Sequence, residues 1–402
     1  MDIYERSLAL HREKQGKLEV SSRTRVDSME DLSLAYTPGV ARPCEVIGRD
    51  VSAAWDLTLK GRTVAVVSDG SAILGLGDLG PEAALPVMEG KAVLFKEFAG
   101  VDAFPIVLDQ REPAQIIETV RAIAPTFGGI NLEDISAPRC FEIEDALQDI
   151  GIPVLHDDQH GTAIVLLAAV MNSLRVQGRS LSQLKVVISG AGAAGRAIAR
   201  LLSCTDGHDR CIPVGQLRIC DSRGILSPER ERQDPIKEEL ARLTNPEGER
   251  GTLRDALRGA DIFIGVSAGG VLEGKDIATM AADPIVLAMA NPIPEVDPEA
   301  AKANGAAIVG TGRSDLPNQV NNVLAFPGLF RGALEARAVR FTSGMKFAAM
   351  EAIAGCVVDP SPHRILPPPF DRSVAVRVAH AVAAAALHDG VVREGAIAGV
   401  RG

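Results

Sequence analysis

The stretch Lys185-Val186-Val187-Ile188-Ser189, followed by Gly190-Ala191-Gly192-Ala193-Ala194-Gly195 and Arg196-Ala197-Ile198-Ala199-Arg200-Leu201-Leu202, decides the fold. A short apolar run reads as a strand, the glycines as a tight turn, and the amphipathic run after them as a helix. In that setting GxGxxG is the dinucleotide fingerprint: the glycines let backbone approach a pyrophosphate, and the helix N-terminus faces its charge. Gly190, Gly192, Ala193, Ala194 and Gly195 are therefore candidate cofactor contacts.

The next apolar run, Leu217–Cys220, ends in Asp221, where a dinucleotide fold sets the acid that binds the adenosine ribose. It follows Gly195 by 26 residues, a long connection carrying Gly207 and Pro213. Asp221 favours the free 2′-hydroxyl of NAD, whereas Arg223 offers a partner for the 2′-phosphate of NADP. The sequence leaves NAD or NADP open.

Outward from this unit the same alternation continues. Ile262–Val266, Ile285–Met289 and Ala307–Val309 read as further strands, and Thr63–Val67, Phe104–Leu108 and Gly151–Leu155 as an earlier set, with Ala114–Ile123 helical. A helix is expected to start near Gly161. Strands and helices in alternation predict an α/β fold with parallel sheets: an N-terminal α/β domain (residues 1–155), a Rossmann-like dinucleotide-binding domain (156–345) and a C-terminal helical segment (346–402) packing across both. A chain of 402 residues has room for two or three domains at about 100–200 residues each.

Composition narrows the partners. Eleven Phe, two Tyr and one Trp leave few rings for stacking on bases, and the formal net charge is −10, so nucleic acid is not expected. The longest apolar stretch, Ala163–Met171, is about half of what a membrane span needs. The N-terminus is charged rather than signal-like, and a soluble cytoplasmic protein is expected. Six cysteines without a CxxC pair indicate neither a thiolate zinc site nor a disulfide framework, so buried or inert thiols are the expectation.

Two acidic pairs stand in apolar or Gly-rich surroundings: Glu133-Asp134 after FGGIN, and Asp157-Asp158 after GIPVL. Carboxylates about 4 Å apart repel by roughly 4 kcal/mol at an effective dielectric near 20, so if the pairs converge they call for a counter-cation. Oxygen ligands suit Mg²⁺ or Mn²⁺ rather than Zn²⁺. His156 and His160 bracket the second pair, but there is no HExxH and the expected helix begins only after them, which argues against a two-histidine zinc site.

With these residues in view the chain resembles the malic enzymes, in their short bacterial form. The likeness is carried by YTPGVA at 36–41, LGLGDLGPEAALPVMEGKAVLFKEFAGVDAFPI at 74–106, FGGINLEDI at 127–135, IPVLHDDQHGTA at 152–163, the GAGAAG turn, ANPIPEVDP at 290–298 and TGRSDLPNQVNNVLAFPG at 311–328. The resemblance implies oxidative decarboxylation of (S)-malate to pyruvate and CO₂ with reduction of NAD(P), dependent on Mg²⁺ or Mn²⁺, in a homodimer whose sites borrow residues across the interface. It implies Tyr36 as general acid, Lys91 as general base with Asp157 beside it, and Glu133, Asp134 and Asp158 as metal ligands. Asn291, Asn321 and Asn322 would contact substrate, Asn291 also the nicotinamide.

Two features depart from larger relatives. An arginine that clamps the substrate carboxylate just before LGLGD is replaced by Gly70-Ser71-Ala72-Ile73, and no phosphotransacetylase-like extension is expected at this length. The missing arginine keeps another 2-hydroxy acid dehydrogenase, or an oxaloacetate decarboxylase, as the alternative within enzymes. A nucleotide-binding protein without turnover is the alternative outside them. A lysine base requires its pKa of about 10.4 to fall toward 7–8; burial favours that fall and Asp157 opposes it.

Overall fold

The computed structural model describes residues 2–73, 76–205, 207 and 211–393. Leu74 and Gly75 of the LGLGD motif, and the last nine residues of the expected C-terminal segment, lie outside that range.

Ten strands fall into two sheets among the described residues. The first holds β1 (Thr63–Ser68), β2 (Asp102–Val107), β3 (Gly129–Leu132) and β4 (Val154–His156) in the order β2-β1-β3-β4, all parallel. The second holds β5 (Lys185–Ser189), β6 (Gln216–Asp221), β7 (Gly224–Ile225), β8 (Ile262–Gly265), β9 (Ile285–Ala288) and β10 (Ile308–Thr311) in the order β10-β9-β8-β5-β6-β7. Only the two-residue β7 runs antiparallel there. Parallel strands covered by helices on both faces need no polar face, which is why TVAVV and IFIG read as unbroken apolar runs.

The helix Asp157–Gln177 joins β4 to β5 and is buried along most of its length before Gly178 ends it in the left-handed conformation. Its apolar sequence follows from that position between the sheets. The helices Phe326–Glu335, Ser343–Gly355 and Arg372–His388 pack on one another, and the last also lies on the helix Pro81–Ala99. Phe95, Phe326, Phe330 and Phe341 form an edge-to-face chain at this junction, with centroids 4.8–5.4 Å apart. No helix among the described residues is long and apolar enough to cross a membrane.

Two expectations are corrected and one strand is added. The helix after the acidic pair begins at Asp157, not near Gly161, because the Glu144 carboxylate binds the His156 N–H and the two aspartates sit in the first turn, where the helix dipole favours them. β3 was not singled out, since GINL is too short for its periodicity to register. Cys204 and Cys211, seven residues apart, form a disulfide with their Cα atoms 5.7 Å apart, a separation that spacing without a CxxC pair did not reveal. Cys140 and Cys220 are buried thiols, as expected.

By contrast, the first fifty residues sit outside the core. The helices Ile3–Lys14, Met29–Ala35 and Ala41–Arg49 bury no residue, and Ile3, Tyr4, Leu8, Leu10, Met29, Leu32 and Leu34 are exposed.

Candidate active site

β3 and β4 are parallel neighbours in a register that pairs Leu132 with His156. The residues immediately after them, Glu133-Asp134 and Asp157-Asp158, therefore leave the sheet side by side. The pairing thus supplies the convergence that sequence spacing left open. The Asp134 N–H donates to Asp158 Oδ2 at 2.8 Å.

Lys91 enters this edge from the buried face of the helix Pro81–Ala99. Its Nζ lies 2.5 Å from Asp157 Oδ2 and 2.8 Å from Glu133 Oε1, with the Phe326 ring 4.0 Å away. Asp157 Oδ2 also accepts from Asn322 Nδ2 at 2.5 Å, so a residue beyond β10 of the second sheet closes on an acid of the first. Asn131 Nδ2 donates to Glu133 Oε2 at 2.8 Å. Gly161, one turn after Asp157, keeps its space: a Cβ there would stand 1.8 Å from Asp157 Oδ1.

Burial pushes the Asp157 carboxyl up to about 6 despite the pull of Lys91. Burial and the neighbouring Asp158 likewise raise Glu133 against the same lysine. For Lys91 burial acts downward, but Asp157 and Glu133 overcome it and hold the ammonium above its ordinary value. The contest between burial and Asp157 is thus decided for the charged lysine, with Glu133 acting in the same sense as Asp157.

The other expected residues divide. Tyr36 follows the helix Met29–Ala35 and is 68% exposed, whereas Lys91 is 7% exposed. Asn321 Oδ1 caps a short turn through the Val323 N–H. Asn291 is exposed beyond β9. The arginines near the stretch lacking the expected one, Arg111 and Arg139, both face the buried Asp69 carboxylate, at 3.7 and 3.0 Å.

Glu133, Asp134 and Asp158 form an all-oxygen donor set suited to a hard divalent cation. The buried Asp157 Oδ1 and Asn131 Oδ1 have no hydrogen-bond partner among the described residues, which marks a polar pocket. As they stand, no three acidic, histidine or cysteine side chains converge tightly enough to hold an ion among the described residues. Glu133, facing Lys91, would have to turn.

At the second sheet the cofactor turn has the expected form. Gly190 has φ 116°, and a Cβ there would meet the Val266 carbonyl at 2.4 Å; at Gly195 it would meet the Gly190 carbonyl at 1.9 Å. A Cβ at Gly192 would meet nothing within 4 Å, and this residue caps the helix Ala193–Leu202 without a side-chain partner. A helix N-terminus left without a side-chain cap, beside a residue with room at its Cα, suits a pyrophosphate. Asp221 closes β6, bound by Arg230 and Lys237, while Arg223 reaches it only through its backbone N–H.

Sequence reasoning passed over Asn131, Gly161, Arg230 and Lys237. Asn131 and Gly161 lie inside motifs already quoted. Lys237 falls three residues after Asp234-Pro235, a helix-start signal that would have placed it in a first turn.

A family model described as malic enzyme, N-terminal domain, matches residues 15–148, and one described as malic enzyme, NAD binding domain, matches residues 159–387. The chain is 54% identical over 397 residues to the bifunctional malic/malolactic enzyme of Bacillus subtilis, covering 98% of this chain and 95% of that one. It is 52% identical over 397 residues to the NAD-dependent malic enzyme of Geobacillus stearothermophilus, covering 98% and 81%. Other bacterial relatives carry NADP in their names. The crystal structure of the malic enzyme from Pyrococcus horikoshii superposes with a TM-score of 0.92 at 47% identity, covering 98% of this chain and 92% of that one.

Proposed function

The chain belongs to the malic enzyme family, and from that premise we propose how its residues perform the oxidative decarboxylation of malate with reduction of NAD(P). The enzyme is a decarboxylating malate dehydrogenase that takes a small-molecule substrate and a nicotinamide dinucleotide. The observation that carries the residue assignment is Lys91, buried between Asp157 and Glu133 where the first sheet ends.

Lys91 is the general base for the C2 hydroxyl. Asp157 is a positioning residue: held by Asn322 and left room by Gly161, it fixes the amine in place. Glu133, Asp134 and Asp158 would hold Mg²⁺ or Mn²⁺, and the bound cation supplies Lewis acidity for the developing ketone and the enolate. Were Glu133 to turn to such a cation, Lys91 would keep one carboxylate partner instead of two, and its proton affinity would be lower than in the present pairing. Gly190, Gly192, Ala193, Ala194 and Gly195 would cradle the pyrophosphate of the nicotinamide dinucleotide, which supplies the hydride acceptor, with Asp221 and Arg223 toward its adenosine end and Asn291 toward the nicotinamide. Asn321 and Asn322 line the substrate side.

Tyr36 serves a second copy of the chain. The amino-terminal helices carry exposed apolar side chains and no buried ones, which a monomer has no reason to keep. In a homodimer that covers them, Tyr36 of the partner subunit reaches the Lys91 pocket and returns a proton to C3 of the enolate. Residues 1–155 then form the substrate domain, 156–345 the dinucleotide domain, and 346–402 the helical segment packed across them.

Malate supplied with Mn²⁺ and either NAD or NADP should raise the reduced-nicotinamide absorbance and yield pyruvate and CO₂. Lys91→Ala should abolish both while the fold persists. A product that keeps its β-carboxylate, or full activity in Lys91→Ala, would overturn the assignment.

A further inference from the structure

The second sheet buries an acid that the proposed reaction does not use. Glu295 lies between β9 and the helix Pro298–Ala303 and is fully buried. Its oxygens accept from backbone: Oε1 from the Ser267 N–H at 2.8 Å and Oε2 from the Ala290 N–H at 2.9 Å. A carboxylate is costly to take out of water, and these charge-assisted hydrogen bonds offset that cost. The last residue of β8 leaves room for it, since a Cβ at Gly265 would stand 2.4 Å from the Glu295 carboxyl carbon.

The two donors mark where neighbouring strands leave the sheet. The Val266 N–H still donates to the Ser189 carbonyl at 2.8 Å, and the Met289 N–H to the Gly265 carbonyl at 2.9 Å. One residue later each backbone turns to Glu295 instead. Ser267 extends the link sideways: its hydroxyl lies 2.9 Å from that of Ser189, the residue before Gly190, and 3.4 Å from Glu295 Oε1. The Pro294 and Glu295 carbonyls accept from the Gly270 and Leu272 N–H groups, both at 2.9 Å, and hold the rest of the loop after β8 to the same segment. One buried side chain thus joins the ends of β5, β8 and β9, while residues 267–270 and 291–293 around it are exposed. The carboxyl ends of the strands are where an open α/β sheet receives its ligand.

We infer that Glu295 is a positioning residue for hydride transfer: its carboxylate fixes the loops after β8 and β9 as one surface against which the nicotinamide half of the dinucleotide is held, without itself touching the cofactor. The inference rests on the reading of the Gly190–Gly195 turn as the dinucleotide site and goes beyond it by assigning what holds the nicotinamide side in place. Two acceptor oxygens are required, one for each loop. Glutamine supplies one oxygen and one NH₂, so in either orientation a donor faces a donor and one loop is released. Hydride transfer is sensitive to such a release, because a displacement of about 1 Å can cost roughly 10²-fold in rate. The pyrophosphate end depends on it less. The Gly190 N–H donates to the Cys220 carbonyl at 2.8 Å, and Gly195 packs directly on the Gly190 carbonyl.

The test compares Glu295→Gln with wild type in two readouts. One is kcat for malate oxidation with Mn²⁺ and saturating NAD or NADP; the other is calorimetric titration of the full chain with ADP in metal-free buffer, which probes the adenosine and pyrophosphate end alone. Glu295→Gln should lower kcat by at least about tenfold with circular dichroism unchanged. Its affinity for ADP should stay within about threefold of wild type. Gly265→Ala, which presses on the same carboxyl group from β8, should give the same split and decides the matter if Glu295→Gln does not fold. A smaller loss of kcat overturns the inference and leaves the dinucleotide reading standing. So does a parallel loss of ADP affinity, since the acid then supports the whole site rather than its nicotinamide side. Failure of the wild-type chain to bind ADP overturns the dinucleotide reading together with the inference.

Discussion

If Tyr36 works on the Lys91 pocket of a partner subunit, two dead enzymes should restore each other. Tyr36→Phe removes the proposed acid and Lys91→Ala the base, and loss of a positioned acid or base typically costs about 10²–10⁴ in rate. The expected recovery follows from where the two groups lie: Tyr36 is 68% exposed on an arm with no buried residue, while Lys91 is 7% exposed in the core. After dissociation and joint re-association of equal amounts, half the dimers are mixed. In a two-fold dimer that exchanges Tyr36, each mixed dimer has one site with both groups and one with neither, so about one quarter of wild-type activity returns. The assay is reduced-nicotinamide absorbance with malate and Mn²⁺, with differently tagged chains to verify that mixed dimers form. If Tyr36 serves its own chain, every site carries one lesion and nothing returns. Verified mixed dimers without recovery would refute the exchange.

Three further outcomes are expected. Gly161→Ala places a methyl 1.8 Å from Asp157 Oδ1, so activity should fall by at least about 100-fold while circular dichroism stays near wild type; unchanged activity would remove Asp157 from its positioning role. Phe330→Ala empties a fully buried ring contacting Phe95 and Phe341, and denaturant unfolding should report a loss of about 3–5 kcal/mol. Glu144 is desolvated, yet His160 and Lys346 hold its carboxyl down at about 2, below its ordinary 4.5. The stability this contributes is present above pH 4.5 and is lost as pH falls from 4.5 toward 2, so Glu144→Gln should flatten that part of a stability–pH curve.

How far the sequence could be read depended on the range of the interaction concerned. The β5 turn was legible because every requirement is local: a strand, glycines at fixed offsets and a helix within eighteen residues. Glu133, Asp134, Asp157 and Asp158 were legible as acids but not as neighbours, since only the β3–β4 pairing joins segments 24 residues apart. The β6 strand and its terminal Asp221 were found by the same local logic as the turn.

The direction of the Lys91 shift was beyond sequence for a different reason. Burial and Asp157 act in opposite senses on the amine, and Glu133, from the neighbouring strand end 2.8 Å away, adds to the side of Asp157. The same structure of argument applies at Asp221. Strand position alone assigns it the role of a bare ribose acceptor, yet Arg230 and Lys237, 9 and 16 residues later, engage both its oxygens. In both places residue type and position identify the ionisable group. Its charge balance is set by partners that arrive from further along the chain, and chemistry responds to that balance rather than to the residue's name.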